Sequence, residues 1–444
     1  MTEADYARTL ETWRQHGRTN SRPIVVDFRD LVSEIVPERS THLLHSYPAK
    51  LLPQIPHFFL GAHKTIQPGA PLTIADPFCG SGTVLVEGII GGCPVVGADS
   101  NPLARLIARV KTCPIERARI TRQLARIHEQ IALIDEAPLP RTVNVKLWYK
   151  KTVANDLAKL AYTINRIRSN DVREFMQLCL SVCARRMSRA DPRLSVPVRI
   201  NPGRKKQYGT HYEQLRKHLR AADTQSTITA FDEIVKRNCS RLRELDELPV
   251  SPLVQIHDEA RHLDKAIDRN SVDLIITSPP YIGAQKYIRA SSFGIGWLGL
   301  SEDSLRTIED QNIGREHFPK RTYEEQIKTG ISRADRQLSS IRNINPLRAH
   351  IAAEYLREMR DSLKAMHASL RVGGNLVLVV GPNTICGQAF DTPRYLEILA
   401  NEIGLTTEFK LIDHIRSRGL MVKRNKTAGL ISSEWVLYLR KTND

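Results

Sequence analysis

Short apolar runs rich in β-branched residues alternate along much of the chain with longer stretches whose apolar positions recur at helical spacing. This is the pattern of a mostly parallel sheet covered by helices. The runs read LTIAD (Leu72 to Asp76), PVVGAD (Pro94 to Asp99), PLVQIHD (Pro252 to Asp258), VDLIITS (Val272 to Ser278), GGNLVLVVG, TEFKLIDHI and SEWVLYLRK. Helices are predicted through Val84 to Ile90, from Pro102 onward, over about Ala349 to Leu370 and around Arg394 to Ile403. Proline at position 102 suits a first helical turn, where its missing N–H would have no partner anyway. The charged amino terminus, MTEADYARTLETWRQHGR, predicts a further short helix. The expected fold class is α/β, one Rossmann-like sheet interrupted by a largely helical insert.

At 444 residues and 41% hydrophobic, the chain can bury a large core and is long enough for two or three units of ~150 residues. The formal charge of +17 points to a polyanionic partner, nucleic acid first. Most of the excess lies between Pro114 and Val250, with 27 basic against 15 acidic residues. From Arg185 to Arg220 there are 11 basic residues against Asp191 and Glu213 alone, so Arg185, Arg186, Arg189, Arg193, Arg204, Lys205 and Lys206 are candidate phosphate contacts. The alternative for them is a solvated helix face. The expected division is a helical extension over 1–39, the first part of the sheet domain over 40–113, the basic helical insert over 114–250 and the second part over 251–444. Within the last, 283–346 forms a smaller polar insert of loops and short helices. The seven cysteines are scattered without C-x-x-C pairs, which predicts neither a disulfide framework nor a metal site. No apolar run approaches the ~20 residues of a membrane span, so a soluble cytoplasmic protein is expected.

Two segments carry candidate chemistry. Asp76-Pro77-Phe78-Cys79-Gly80-Ser81-Gly82-Thr83 stands where a strand ends and a helix begins, so its small residues let a ligand approach backbone N–H groups. A dinucleotide fingerprint would need glycine at Leu85, and a phosphate loop would need lysine at Thr83. A tight turn can also need glycine for steric reasons alone. Asp99, ending the next strand, suits ribose hydroxyls, or it caps the following helix, a task Asn101 can also perform. Asp258, ending the third, can accept from an amino group or be a surface turn residue. Thr277-Ser278-Pro279-Pro280-Tyr281 follows an apolar strand. Its prolines lack donors and have fixed φ, so the carbonyls before them are stiff acceptors suited to an exocyclic amine, and Tyr281 offers a stacking face. A rigid turn with a packing tyrosine is the plainer reading. Tyr287, Arg289 and Trp297 beyond it could shape a base pocket, with helix packing the expected role.

The joint occurrence of DPFCGSGT, acids after the second and third strands, and TSPPY resembles the amino-methylating DNA methyltransferases that use S-adenosylmethionine. The resemblance covers about residues 40–113, 251–300 and 350–444. It implies a class I methyltransferase sheet in which Asp76, Phe78, Gly80, Ser81, Gly82 and Thr83 hold the methionine part of the cofactor and Asp99 and Asp258 the ribose and adenine. His45-Ser46-Tyr47-Pro48-Ala49-Lys50 is similar to the family's H-x-Y-P-A-K element, so Tyr47 and Lys50 join the expected cofactor set. Ser278, Pro279, Pro280 and Tyr281 become the catalytic turn. Serine at the first position is typical of cytosine-N4 enzymes and aspartate of adenine-N6 enzymes, so the expected reaction is methylation of cytosine N4 in double-stranded DNA with the base flipped out. Many cytosine-amino enzymes place this turn before the glycine motif. The opposite order here resembles the arrangement with target recognition in the central segment. The resemblance leaves room for a companion restriction nuclease or defence-system component. Alternatives are adenine-N6 methylation, guanine methylation in tRNA, whose enzymes carry a similar turn before D-P-P-Y, and a catalytically silent nucleic-acid-binding subunit. Cys79 lacks a Pro-Cys setting and is expected to pack.

Overall fold

The computed structural model describes residues 1–48, 50–246, 248, 252–283, 286–301, 304–416 and 432–443. Eight strands form one sheet: β1 (Ile24–Val26), β2 (Ile74–Asp76), β3 (Val95–Ala98), β4 (Val254–His257), β5 (Val272–Thr277), β6 (Leu370–Val380), β7 (Leu405–His414) and β8 (Ser433–Lys441). Their order is β1-β7-β8-β6-β5-β2-β3-β4, parallel except for β8, which runs antiparallel to β6 and β7. All seven expected strands are present, and the α/β class is as the sequence pattern predicts. Three strands were not expected: Asn383–Ile385 and Gln388–Phe390, which pair with each other in a separate two-stranded sheet, and β1, which lies in the extension read as helical. Its three residues are too short to show a period, and it is placed by pairing Ile24 with Leu411 and Val26 with Asp413.

Alternation along the central strands sends side chains into two apolar layers. Leu274, Ile276, Val377 and Val379 face one, while Val272, Ile275, Leu376 and Leu378 face the other. Helix Pro346–Ser369 covers the second layer, capped by the Asn345 side chain, which accepts from the Arg348 N–H at 3.1 Å. The first layer runs without a break into the basic insert, where Leu157, Phe175 and Phe231 lie in the same core as Val84 and Ile74. Helices Lys151–Ile164, Asn170–Arg186 and Thr227–Ser240 are thus built onto the sheet. Among the described residues no helix is long and apolar enough to cross a membrane.

The topology fixes where a ligand can sit. From β2 the chain moves outward through β3 to β4, then returns to β5 on the other side of β2. The loops leaving the carboxyl ends of β2, β3 and β5 therefore diverge, and a crevice opens between them.

Candidate active site

The loop from β2 to helix Thr83–Ile90 is held by two carboxylates. Asp76 is buried and accepts from the Phe78 N–H at 3.1 Å and from Thr277 Oγ1 at 2.5 Å. Asp99 accepts from the Gly80 N–H at 2.9 Å and the Asn101 N–H at 2.8 Å. Asn101 in turn caps helix Pro102–Thr112, accepting from the Leu103 N–H at 3.0 Å, so the capping task falls to it and the Asp99 carboxylate faces the glycine turn. Gly80 and Gly82 have φ of +50° and +78°, and a Cβ on Gly82 would lie 3.1 Å from the Ala108 Cβ. Ser81 Oγ is buried in the turn, without a hydrogen-bond partner among the described residues. Cys79 packs inside, its N–H bonded to the Ala98 carbonyl. Burial, stronger than the hydrogen bonds that oppose it, pushes the Asp76 carboxyl up to about 7 and that of Asp99 up to about 6.

Thr277 ends β5, and its bond to Asp76 ties the Ser278-Pro279-Pro280-Tyr281 turn to the glycine turn. One cleft of about 640 Å³, open to solvent, is lined by Tyr47, Phe78, Gly80 and Asp99 on one side and by Ser278 and Pro280 on the other. Asn101 Nδ2 donates to the Tyr47 hydroxyl at 3.0 Å, which fixes that ring against the turn. Tyr281 is buried, and its hydroxyl donates to Glu434 Oε1 at 2.8 Å, at the start of β8. It is not among the residues lining the cleft; Tyr287, for which the base pocket was the alternative to helix packing, is. Gln311, Asn312 and Ile313 from the second insert complete the wall, and Ser100 Oγ donates to Asn312 Oδ1 at 2.7 Å. A smaller chamber of about 280 Å³ adjoins the cleft, with Pro280, Tyr287, Asn312 and Ile313 common to both.

Other expected site residues lie elsewhere. Lys50 Nζ donates to the carbonyls of His42 and His45 at 2.9 and 3.0 Å and is not part of the cleft wall, and Ala49 beside it lies outside the described residues. Asp258 is exposed beyond β4, and the neighbouring Glu259 lines the cleft. In the basic insert, Arg185 donates to the carbonyls of Asp191 and Leu194, and its guanidinium lies 5.7 Å from the Phe293 ring centre. Arg186 pairs with Glu233 at 2.7 Å, Arg189 with Asp223 at 3.1 Å and Arg193 with Asp191 at 2.7 Å. Arg204, Lys205 and Lys206 are exposed, with Lys205 over the Tyr212 ring at 5.6 Å.

No family model matches the chain. It is 27% identical over 289 residues to the Type II methyltransferase M.MvaI of Kocuria varians, an alignment covering 60% of each chain. It is 23% identical over 265 residues to the Type II methyltransferase M.BsoBI of Geobacillus stearothermophilus, covering 54% of this chain and 50% of that one. The chain thus spans about half to three fifths of the length of these relatives. The solved structure of the rRNA methyltransferase aviRa from Streptomyces viridochromogenes aligns over 90% of this chain and 89% of its own at 10% identity, with a TM-score of 0.30. The resemblance carried by DPFCGSGT and TSPPY accordingly meets named relatives over more than half of the chain: it is similar in sequence to Type II methyltransferases.

Proposed function

We propose that the chain is a site-specific DNA methyltransferase that uses S-adenosylmethionine and modifies the exocyclic N4 amine of cytosine. The observation that carries this reading is the single cleft in which the glycine turn and Asp99 face Ser278 and Pro280. The residues present suit the cofactor. The left-handed turn bares backbone N–H groups, Ser81 Oγ has no hydrogen-bond partner among the described residues, and the Asp99 carboxylate lines the cleft with its side-chain oxygens held only by backbone N–H groups. Asp76, Phe78 and Gly80 to Thr83 would hold the methionine portion, Asp99 the ribose hydroxyls, and the Asp258–Glu259 pair after β4 the adenine amine. Bound there, S-adenosylmethionine supplies an electrophilic methyl group on a sulfonium.

The chain's own task is geometric. An aromatic amine is a weak nucleophile because its lone pair is delocalised, so it must be held in line with the methyl group a little over ~3 Å away. The Pro279 carbonyl and the Ser278 hydroxyl or carbonyl accept the two amine hydrogens and leave the lone pair directed at the methyl. Thr277, through Asp76, keeps these acceptors in register with the glycine turn. The target base must leave the stack, and phosphate contacts from the basic surface offset that cost of a few kcal/mol.

The test is incubation of the chain with labelled cofactor and separate DNA and RNA pools, followed by nucleoside analysis. N4-methylcytosine in DNA is expected. N6-methyladenine would reassign the base, methylated guanine in RNA would reassign the nucleic acid, and a chain that binds no cofactor would be a silent subunit. Alanine across Ser278, Pro279, Pro280 and Tyr281 abolishes transfer and leaves cofactor binding measurable; retained turnover refutes the assignment.

A further inference from the structure

The proposed turn leaves one chemical requirement unmet. Once the amine is methylated its nitrogen must lose a proton, and Ser278 is too weak a base to take it. The small chamber beside the cleft contains a better candidate. Glu309, on helix Leu305–Gln311 of the second insert, lines it together with Pro280 of the catalytic turn and Tyr287. No described residue makes a hydrogen bond or ion pair with the Glu309 carboxyl, whereas Arg315 in the same wall is committed to Glu354 and Glu358.

We infer that this chamber seats the ring of the extruded base and that Glu309 is a further catalytic residue, taking the proton released from the amine. The inference rests on the methyltransferase reading of the cleft and deepens it. In the step, the amine lone pair forms the new N–C bond. The methyl–sulfur bond breaks with its electron pair going to sulfur, leaving a neutral thioether. The cationic nitrogen then passes its proton to the Glu309 carboxylate and on to solvent. Partial burial raises the carboxyl above the ordinary glutamate value, which strengthens it as a base. Asp310 on its own helix acts in the same direction. Arg289 from helix Lys286–Trp297, Arg306 and His317 act against it. Arg289 and Arg306 also offer phosphate contacts beside the chamber. An acid from the second insert would do here what aspartate at position 278 would otherwise do.

The test compares full-length wild type with E309Q and E309D. A glutamine keeps the shape and the hydrogen-bonding capacity but cannot accept a proton. In E309Q, kcat falls by about 100-fold or more, in the range of general-base losses, while the KM for DNA and the cofactor Kd stay within about twofold. The acidic limb of the wild-type kcat profile disappears, and E309D restores part of the rate. Independently of turnover, a titration of isotope-labelled glutamate without cofactor shows one carboxyl, absent from E309Q, protonating above the ordinary glutamate value. Wild-type kcat in E309Q, or a Glu309 carboxyl titrating at or below the ordinary value, overturns the assignment and leaves the methyltransferase reading standing. Absence of methyl transfer by the wild type overturns both.

Discussion

Asp76 and Asp99 are two desolvated carboxyls at the glycine turn, Asp99 on the cleft wall and Asp76 behind it, and the Asp99 charge adds to the burial that raises Asp76. Their folded-state values of about 7 and about 6 stand above the ordinary aspartate value of ~3.9. A raised carboxyl stabilises the fold when protonated. That contribution is complete below the unfolded value and is lost as pH rises through the folded one. Without ligand, thermal stability should therefore decline from about pH 4 to about pH 7, by a few kcal/mol. D76N, which cannot ionise, should flatten that decline in a melting series across pH. Affinity for the cationic cofactor should move in the opposite sense, weakening as pH falls through about 7 and 6 while the two carboxyls protonate. Calorimetric titration of wild type at pH 5.5 and 8 checks this at values bracketing both groups, and equal affinities at the two pH values would remove these acids from the cofactor site.

At the scale of elements, the junction of β2 with helix Thr83–Ile90 depends on a backbone conformation rather than on a side chain. Gly82 combines a φ of +78° with a Cβ position 3.1 Å from Ala108, so valine there meets both left-handed strain and a packed helix. G82V should lower stability by about 2–4 kcal/mol and cost cofactor binding, whereas an exposed control such as L139A should leave the melting temperature nearly unchanged. This junction was legible in the sequence because DPFCGSGT follows an apolar run directly, and the same holds for the strands that carry Asp99 and Ser278. Residues brought in from far along the chain carried no such mark. Asn312 reaches the cleft by a bond to Ser100, and nothing in its polar surroundings distinguishes it from a loop residue. Of the two roles open to Tyr287, base pocket and helix packing, the cleft wall holds it, while Tyr281 lies buried on Glu434. A tyrosine's sequence position could not decide this, because its neighbour on β8 is 153 residues away. β1 was likewise illegible, since a three-residue edge strand exists only through its partner β7.

Over the whole molecule, the +17 charge is the sequence feature most altered by folding, because much of the arginine excess is spent inside the insert. Arg185 buttresses the 191–194 loop, and Arg186, Arg189 and Arg193 each face an acid, so the dense run from 185 to 193 joins helices as well as adding charge. Arg204, Lys205 and Lys206 are exposed and oppose no acid among the described ion pairs. Two sets of charge reversals should then separate. R204E/K205E/K206E should weaken binding to any duplex at ~0.1 M salt by about 10-fold or more and flatten the plot of log affinity against log salt by up to about three, near one per lost phosphate contact. Melting temperature should barely move, since these side chains bury nothing. R189E should do the reverse: two carboxylates would meet at Asp223, destabilising the insert by roughly 1–2 kcal/mol with a smaller change in salt slope. Equal salt slopes for wild type and the triple variant would place the nucleic-acid surface elsewhere, with Arg289 and Arg306 beside the small chamber the next charges to reverse.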